Sequence, residues 1–266
     1  MRYRARVRSD EPALRQRMLE LARERPRFGY RRIARLLQQE GFRVNLKRVY
    51  RLWRAEGLKV PKKTKKKRAI GSGGHACHRL RAERINQVWC WDFIFDRTVT
   101  GQTLKYLSVV DEYTRRCITL DVSRGMKAEA IIDRLAELFM MDGVPECIRS
   151  DNGPEFVATA IQQWLAKMGV QTLYIEPGSP WQNGYAESFH SRLRDELLNV
   201  EEFENVRHAR EHARAWREDY NEYRPHGSLG GLPPAEFARR CAASGRAAPS
   251  LQQHSEPVSL PQPLLS

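Results

Sequence analysis

The sequence has no apolar run near the roughly 20 residues that a membrane-spanning helix needs, and it holds only five cysteines in 266 residues. The first residues lead into charge rather than into the apolar stretch of a signal peptide. The cysteines are odd in number, scattered and never spaced as Cys-x-x-Cys, which is typical of reduced thiols. We therefore expect a cytoplasmic chain without disulfides and without a membrane partner.

Acidic residues are scarce at the N-terminal end. Residues 1–70 hold 24 Lys and Arg against 6 Asp and Glu, a net charge of +18, whereas the remaining chain holds 22 against 26. Because duplex DNA carries a phosphate charge every ~1.7 Å along its axis, a basic region gains affinity for DNA by releasing counterions. The charge predicts an N-terminal DNA-binding region, with a merely soluble basic arm as the alternative, and an acidic-leaning remainder suits a metal-binding catalytic domain.

Residues 1–60 show the periodicity of three short helices. The first runs from Glu11 to Arg25, the second follows from Tyr30 and ends at Gly41, and Asn45 is placed to cap the third. Three helices with tight turns predict a helix-turn-helix, and an ordinary helical bundle with solvated arginines is the alternative. Four basic side chains of the third helix are expected to face solvent and to contact DNA: Lys47, Arg48, Arg51 and Arg54.

Residues 61–84 are interpreted as a linker, because a dense run of like charges at 61–68 cannot pack and is followed by a Gly-rich stretch at 71–74. Its polybasic half can track a DNA backbone, although a self-repelling solvated tether has the same composition. His75, Cys77 and His78 lie too close together for a common structural zinc site and have no second ligand pair nearby.

The segment from residue 88 to residue 122 has the pattern of a β-meander. Apolar and β-branched residues fill three stretches, Val88 to Phe95, Leu104 to Val110, and Cys117 to Val122. Asp92 interrupts the first stretch. Because Asp is rarely buried without a partner, a metal ion accounts better for Asp92 than an unpaired core charge does.

The next segment predicts helices alternating with short strands. Residues 128–141 and 155–168 have helical periodicity, and residues 147–151 and 172–175 read as strands. Asp151 then emerges at the carboxyl end of its strand, where open α/β sheets place their ligands. A loop rich in proline and glycine delivers Glu187 to a further helix. On that helix Glu187, His190, Ser191 and Arg194 are predicted to share one face.

Asp92, Asp151 and Glu187 form a candidate two-metal site. Divalent cations such as Mg²⁺ or Mn²⁺ take oxygen ligands, and a pair about 4 Å apart can serve an in-line displacement at phosphorus. Each acid taken alone has an ordinary alternative as a turn former or a solvated surface residue. Three nearby carboxylates compete for the assignment, and Asp96 is the most serious because it shares a strand face with Asp92: Asp96, Glu155 and Glu176.

At these residues the sequence resembles bacterial insertion-sequence transposases with a retroviral-integrase-type catalytic core, specifically the subunit encoded by the second reading frame. The resemblance spans about residues 25 to 240. The blocks that carry it are Arg27-Phe-Gly-Tyr-Arg-Arg-Ile33, Val44-Asn-Leu-Lys-Arg-Val49, Trp91-Asp-Phe93, Ser150-Asp-Asn-Gly-Pro-Glu-Phe156, Gln182-Asn-Gly-Tyr-Ala-Glu-Ser-Phe189 and Tyr220-Asn-Glu-Tyr-Arg-Pro-His226.

The resemblance implies an α/β fold, a ribonuclease-H-like five-stranded mixed sheet flanked by helices and preceded by a small all-α helix-turn-helix domain. It maps the family's metal ligands onto Asp92, Asp151 and Glu187, holding two divalent cations, usually Mg²⁺. It implies nicking at the ends of a DNA element and direct attack of the freed 3′-hydroxyl on another phosphodiester. By the same analogy Arg194 grips DNA near the site, and three amides shape the metal or DNA pocket: Asn152, Gln182 and Asn183.

The resemblance also implies partners and a place in the cell. The partners are double-stranded DNA, as terminal inverted repeats and target, further copies of the chain, and an upstream-frame subunit. The expected location is the bacterial cytoplasm at the nucleoid. We expect domains at 1–60 (helix-turn-helix), 61–84 (linker) and 85–241 (catalytic core), and a disordered tail at 242–266. The role of the Tyr220 to His226 block does not follow from the sequence, and stabilising the core is the simplest alternative.

Two other functions remain open from sequence. A sequence-specific DNA-binding regulator with an inactive core shares every N-terminal feature but needs no intact acids. A ribonuclease acting on RNA–DNA hybrids uses the same fold and metals but has no need of a helix-turn-helix. A glycosidase built on paired carboxylates is disfavoured, since the +18 N-terminal region offers a sugar nothing to bind.

Overall fold

The computed structural model describes residues 8–60, 80–150, 159–175 and 184–244. Within these residues the chain forms eight α-helices and five β-strands. The His75 to His78 group and most of the predicted linker lie outside the described residues, as does the chain after Ser244. Among the helices that the structure describes, none combines the length and the apolar character needed to cross a lipid bilayer.

The N-terminal module, residues 8–60, is a bundle of α1 (Glu11–Glu24), α2 (Tyr30–Gln39) and α3 (Leu46–Ala55). Its helices pack around one apolar core, as the helical periodicity predicts. Asn45 caps α3, because its side-chain oxygen accepts the backbone N–H of Arg48 at 2.8 Å. The predicted three helices and the predicted cap are confirmed.

The central sheet has five strands in the order β3-β2-β1-β4-β5. Three of them form the predicted antiparallel meander, and β4 and β5 add in parallel. The sheet is therefore mixed, as expected. The strand bounds are β1 Val88–Arg97, β2 Thr103–Asp111, β3 Cys117–Ser123, β4 Cys147–Ser150 and β5 Gln171–Tyr174.

Helices cover both faces of this sheet. One face packs on α4 (Ala128–Asp142) and α5 (Thr159–Lys167), and the other packs on α6 (Gly184–Leu193) and α7 (Val206–Glu222). Side chains alternate along a strand, so Trp89 and Trp91 of β1 point to the α4 side while Cys90 and Ile94 point to the α6 side. Asp92 has the parity of Cys90. The pleat of β1 therefore directs this carboxylate towards α6.

The C-terminal helix α8 (Pro234–Ala243) packs beside α7. It continues two residues past 241, so Ala242 and Ala243 are helical although the sequence assigned them to a disordered tail. The end of a helix is predicted from the spacing of its large apolar residues, and Ala242 and Ala243 at the end of α8 are too small to give that pattern.

The four cysteines of the described residues are free and buried: Cys90, Cys117, Cys147 and Cys241. Burial raises the thiol pKa of Cys90, Cys117 and Cys147, because an apolar environment disfavours the thiolate. These thiols serve as core side chains rather than as nucleophiles or metal ligands. Cys77 lies outside the described residues.

Asn221 ties α7 to the first residue of the edge strand β3. Its side chain accepts the backbone N–H of Cys117 at 2.9 Å and donates to the carbonyl of Cys117, also at 2.9 Å.

The substitution Asn221→Ala leaves the buried backbone N–H and carbonyl of Cys117 without these partners. We expect the free energy of unfolding to fall by about 2 kcal/mol, measured by urea titration.

The matched control is Asn199→Ala, because Asn199 is exposed. We expect that substitution to change the free energy of unfolding by less than about 0.5 kcal/mol. Equal effects of the two substitutions would show that the contact between α7 and β3 does not stabilise the fold.

Candidate active site

Asp92 lies near the middle of β1, opposite Ser108 of β2, with 19% of its side chain exposed. One carboxylate oxygen, Oδ1, accepts the backbone N–H of Phe93 at 2.7 Å. The other, Oδ2, lies 3.6 Å from Nδ1 of His190 on α6. The pairing of β1 with β2 and the packing of α6 on β1 therefore fix the direction of this carboxylate.

Ser108 connects Asp92 to His190. The Ser108 hydroxyl donates to the carbonyl of Asp92 at 3.1 Å and lies 3.0 Å from Nε2 of His190. The other ring nitrogen, Nδ1, faces the Asp92 carboxylate.

His190 is neutral at physiological pH. Burial lowers its pKa to about 4, and the positive charge of Arg194 acts in the same direction. Its 3.6 Å contact with Asp92 is therefore not an ion pair at neutral pH. The Asp92 carboxylate and the neutral His190 ring thus lie side by side at the contact between β1 and α6. A carboxylate oxygen is the kind of ligand that a divalent cation such as Mg²⁺ takes.

Glu187 lies on α6 one turn before His190, about 4.5 Å earlier along the helix axis, and its side chain is exposed. The four amino-acid types able to bind a metal (His, Cys, Asp and Glu) do not gather in threes anywhere in the part of the chain that the structure describes. Four predicted site residues lie outside that part: Asp151, Asn152, Gln182 and Asn183. Among the described residues Asp92 of β1 thus contacts His190 of α6, and Glu187 lies one turn earlier on α6 without joining them in a group of three.

The end of β4 borders this portion of the site. The strand runs parallel to β1 with Arg149 opposite Cys90, and its last residue is Ser150. Ser150 directly precedes Asp151, which lies outside the described residues. Arg149 itself is buried, and its Nε donates to Oε1 of Glu112 at 2.8 Å. That buried ion pair anchors β4 beside the end of β2.

The helix that carries Glu187 changes its winding before it reaches Arg194. The α-helical part ends at Leu193, and Arg194–Leu198 form a π-helical turn. Arg194 is the first residue of that turn and directly follows the α-helical Leu193. It is exposed, and its positive charge helps to lower the pKa of His190. Its expected place on the face of Glu187, His190 and Ser191 stays a prediction.

The basic residues of α3 do not all face solvent. Lys47, Arg51 and Arg54 are exposed, but only 10% of the Arg48 side chain is. The guanidinium of Arg48 forms two bonds of 2.7 and 2.8 Å with Asp10, and Arg51 forms one of 2.6 Å with Glu11. The prediction of a solvent-facing Arg48 is wrong because the acidic start of α1 packs against α3.

A cluster of charged side chains joins the N-terminal module to the rest of the protein. Glu196, in the π turn, accepts bonds from Arg224 at 2.6 and 2.8 Å and from Arg32 of the module at 3.0 Å. Arg25 of the module pairs with Asp219 at 2.5 Å. We call this set the junction clasp, and it consists of Arg25, Phe28, Arg32, Glu196, Asp219 and Arg224.

Phe28 lies at the centre of the junction clasp. The guanidinium carbons of Arg25, Arg32 and Arg224 lie 5.3, 5.0 and 5.8 Å from the centre of its ring, within cation–π range. The sequence block around residue 28 thus meets the block at 220–226. The sequence did not predict this contact between the two blocks, because it is formed by residues far apart in the chain.

His226 and Tyr220 complete this packing. Their ring centres lie 4.8 Å apart, and both side chains are buried. Burial lowers the pKa of His226 to about 2, and the nearby Arg224 adds to the effect. The block from Tyr220 to His226 therefore stabilises the core and anchors the module, with Asn221 holding β3.

Two kinds of family match cover this chain. An HTH-like domain matches residues 9–67, and the integrase core domain family matches residues 82–180 and, in a second form, 168–234. One solved structure, a simian T-cell lymphotropic virus intasome in complex with the PP2A regulatory subunit B56 gamma, aligns with a TM-score of 0.51 at 13% identity. That alignment covers 92% of this chain and 80% of the viral one. It supports the fold: a ribonuclease-H-like mixed sheet flanked by helices.

Sequence relatives come from bacterial insertion elements. The chain is 37% identical over 259 residues to an uncharacterized 31.7 kDa protein of insertion element IS407 from Burkholderia multivorans, covering 95% of this chain and 90% of that protein. It is 27% identical over 221 residues to putative transposase InsK of IS150 from Escherichia coli, covering 80% and 78%.

A third relative is longer than this chain. The uncharacterized 39.2 kDa protein of IS476 from Xanthomonas euvesicatoria is 40% identical over 226 residues, which cover 85% of this chain and 64% of that protein. This chain thus spans less than two thirds of the length of that relative. Together the matches define a protein with an HTH-like module and an integrase core. The chain belongs to the insertion-sequence transposases with an integrase-type core.

Substituting the shared carboxylate of the junction clasp, Glu196→Gln, leaves the buried Arg224 without its counter-charge. We expect the free energy of unfolding to fall by about 3 kcal/mol, since an uncompensated buried charge is strongly destabilising. The measurement is a urea titration at neutral pH. The control is Glu211→Gln, whose partner Arg207 is 88% exposed, and its expected effect is below about 0.5 kcal/mol. Similar effects would contradict a stabilising role for Glu196.

The lowered pKa of His226 predicts a dependence of stability on pH. Below pH 6.5 the unfolded chain binds a proton at this histidine and the folded chain does not, so stability falls as pH falls. His226→Gln should remove about 2 kcal/mol of the loss between pH 6.5 and about pH 5, measured as unfolding free energies across that range. The pKa of His190 is also lowered, so His190 makes stability fall with falling pH in the wild type and in the variant alike. Parallel profiles for the two proteins would refute the prediction.

Proposed function

We propose that this protein is a DDE-type transposase, which cleaves DNA strands at the ends of an insertion element and transfers the freed 3′-hydroxyl to another phosphodiester. The observation that carries the proposal is the meeting of Asp92 with α6, in a chain that belongs to the insertion-sequence transposases. The carboxylate belongs to strand β1, and helix α6 carries both Glu187 and the neutral His190.

The proposed metal ligands are Asp92, Asp151 and Glu187, for two Mg²⁺ or Mn²⁺ ions. When bound, such ions activate the attacking oxygen and neutralise charge on the leaving oxygen. Asp92 suits the role because its carboxylate is directed towards α6, with Oδ2 lying 3.6 Å from Nδ1 of His190. Asp151 directly follows the end of β4, which lies beside β1. Glu187 lies on the first turn of α6.

Asp96 is the weaker candidate, although it lies on the same face of β1 as Asp92. It pairs with Leu104 near the turn between β1 and β2, and its Oδ1 accepts the backbone N–H of Arg97 at 2.9 Å. Asp92 lies two residues beyond Cys90, the last β1 residue paired with the parallel β4, whereas Asp96 lies six residues beyond it. This position supports Asp92 as the metal ligand.

His190 is proposed as a positioning residue for Asp92. Its Nε2 lies 3.0 Å from the Ser108 hydroxyl, which also binds the carbonyl of Asp92, so the imidazole and the backbone of Asp92 share one contact. A protonated ring would compete with a cation for the Asp92 carboxylate, and a neutral ring does not. Burial, which lowers the pKa of His190, therefore suits the site.

Both proposed steps are the same displacement at phosphorus. First, a water oxygen bonds to the phosphorus at the element end, the bond from phosphorus to the 3′ oxygen breaks, and the leaving oxygen takes a proton. Then that 3′-hydroxyl bonds to another phosphorus, loses its proton, and displaces the 3′ oxygen there. No covalent enzyme intermediate forms, so one site serves both steps. Arg194, Asn152, Gln182 and Asn183 are the proposed contacts to DNA around this site.

The N-terminal module is proposed to bind the terminal repeats of the element through α3. Lys47, Arg51 and Arg54 are exposed on one side of this helix, as a helix lying in a major groove requires. Arg48 contributes to binding only if DNA phosphate displaces Asp10. The proposed partners of the protein also include target DNA, further copies of the chain and an upstream-frame subunit. The proposed domains are the helix-turn-helix at 1–60, the linker at 61–84 and the catalytic core at 85–241.

The test is strand cleavage by Asp92→Asn. The substrate is a supercoiled plasmid carrying the gene with its flanking DNA, incubated with Mg²⁺, and nicks are mapped by primer extension. We expect nicking at the element ends to fall roughly ten-thousandfold or more, the scale of losing a principal catalytic group. Binding of the same DNA in EDTA should be retained, since Asp92 lies outside the N-terminal module.

The matched control is Asp96→Asn, an identical change on the same face of β1, which should nick DNA at a rate close to wild type. Nicking by Asp92→Asn at the wild-type rate would eliminate the proposed site. A wild-type protein that binds the flanks without nicking them would favour a regulator with an inactive core. Cleavage of RNA–DNA hybrid instead of element ends would favour a ribonuclease.

A further inference from the structure

A cleft of about 610 Å³ opens where the N-terminal module meets the rest of the protein. One wall is α2 with the start of α3, and the other is the loop that follows Arg224 in the junction clasp. We call it the junction cleft. Residues that define its two walls are Arg31, Arg32, Arg35 and Asn45 of the module, and Gly227 and Gly231 of the core.

The junction cleft is cationic. Three arginines line it, and none of the lining residues is an Asp or a Glu. Arg31 donates to the hydroxyl of Tyr30 at 3.3 Å, and Arg35 donates to the side chain of Gln38 at 3.3 Å. Both contacts are with neutral groups, and among the described residues neither arginine forms an ion pair. Their positive charges are therefore available to an anion.

The side chain of Arg32 is held in one position beside the junction cleft. Its guanidinium is held at 3.0 Å by the carboxylate of Glu196, which also binds Arg224. The module and the core are thus joined directly beside the cleft, so its two walls keep their separation. A ligand that enters meets preorganised groups, which lowers the entropic cost of binding.

The opposite wall is built from glycine. Gly227 and Gly230 are exposed, and the absence of side chains lets a bulky backbone approach the loop closely. At Gly231 φ is +90°, and an added Cβ would lie 2.9 Å from Nε of Arg35. Glycine at this position therefore leaves the room that the Arg35 guanidinium occupies. Arginine on one side and bare backbone on the other suit a chain of phosphates.

We propose that the junction cleft binds the sugar-phosphate backbone of the duplex DNA that α3 engages, an inference that rests on the proposed function. Asn45, the cap of α3, lines the cleft, so a duplex with α3 in its major groove carries a phosphate strand along α2. Arg31 and Arg35 hold that strand from the module side, and the loop at 227–231 meets it from the core side. The DNA is thereby held by both parts of the protein.

The test is the salt dependence of DNA binding, measured by fluorescence anisotropy in EDTA. The probe is a labelled duplex of about 40 base pairs and arbitrary sequence, titrated between about 50 and 200 mM salt. Each phosphate contact contributes about 0.9 to the slope of log K against log salt. We expect Arg35→Gln to reduce the slope by about 0.9 and Arg31→Gln with Arg35→Gln to reduce it by about 1.8.

The matched control is Arg23→Gln, because Arg23 is an exposed arginine of α1 and does not line the cleft. Its slope should equal that of the wild type. The proposal is overturned if the double variant keeps the wild-type slope, or if Arg23→Gln lowers the slope as much as Arg35→Gln does. A wild-type protein that does not bind the duplex overturns the proposed function as well.

A second variant tests the core wall. Gly227→Glu adds a carboxylate where a new Cβ has nothing within 4 Å, so the folded structure can accept it. We expect the affinity for the duplex to fall on the order of tenfold from like-charge repulsion. Gly227→Gln, of the same size and neutral, should bind nearly as the wild type does. Equal affinities of these two variants would exclude contact between DNA and the core wall, and urea titration confirms that both fold.

Discussion

The structure depends on one buried carboxylate, that of Glu196. It accepts hydrogen bonds from Arg224, whose side chain is 3% exposed, and from Arg32 of the N-terminal module. Removing water from these guanidinium groups is costly, and only a shared counter-charge with several hydrogen bonds offsets that penalty. Because Glu196 follows α6 directly, the contact that holds the module also anchors the helix of Glu187. The proposed DNA-binding and catalytic parts are therefore mechanically joined.

The candidate site depends on a second constraint, the alternation of side chains along β1. The pleat sends two tryptophans into the core under α4 and turns Asp92 towards α6. There the carboxylate meets an imidazole whose pKa burial lowers to about 4. An uncharged ring beside a carboxylate does not compete with a cation for that carboxylate. The same burial that stabilises α6 on the sheet thus prepares the electrostatics of the proposed metal site.

Much of the fold could be predicted from sequence, because its signals are local. Helical periodicity predicted α1 to α4, and Asn45 was correctly assigned as the cap of α3. Stretches rich in aromatic and β-branched residues predicted the antiparallel meander. One error arose where distant segments meet, because Arg48 faces Asp10. The last two residues of α8, Ala242 and Ala243, were assigned to the tail because that end of the helix lacks an apolar pattern.

The sequence by itself determined the local elements, the basic N-terminal charge and the blocks that identify the family, because each is written in neighbouring residues. It also nominated Asp92, Asp151 and Glu187, by type and spacing. Only the tertiary structure decided that Asp92 faces His190 and that the blocks around Phe28 and Arg224 close on Glu196. The physical reason is that burial, counter-charges and ring packing come from segments far apart in the chain, and no sequence window contains both partners.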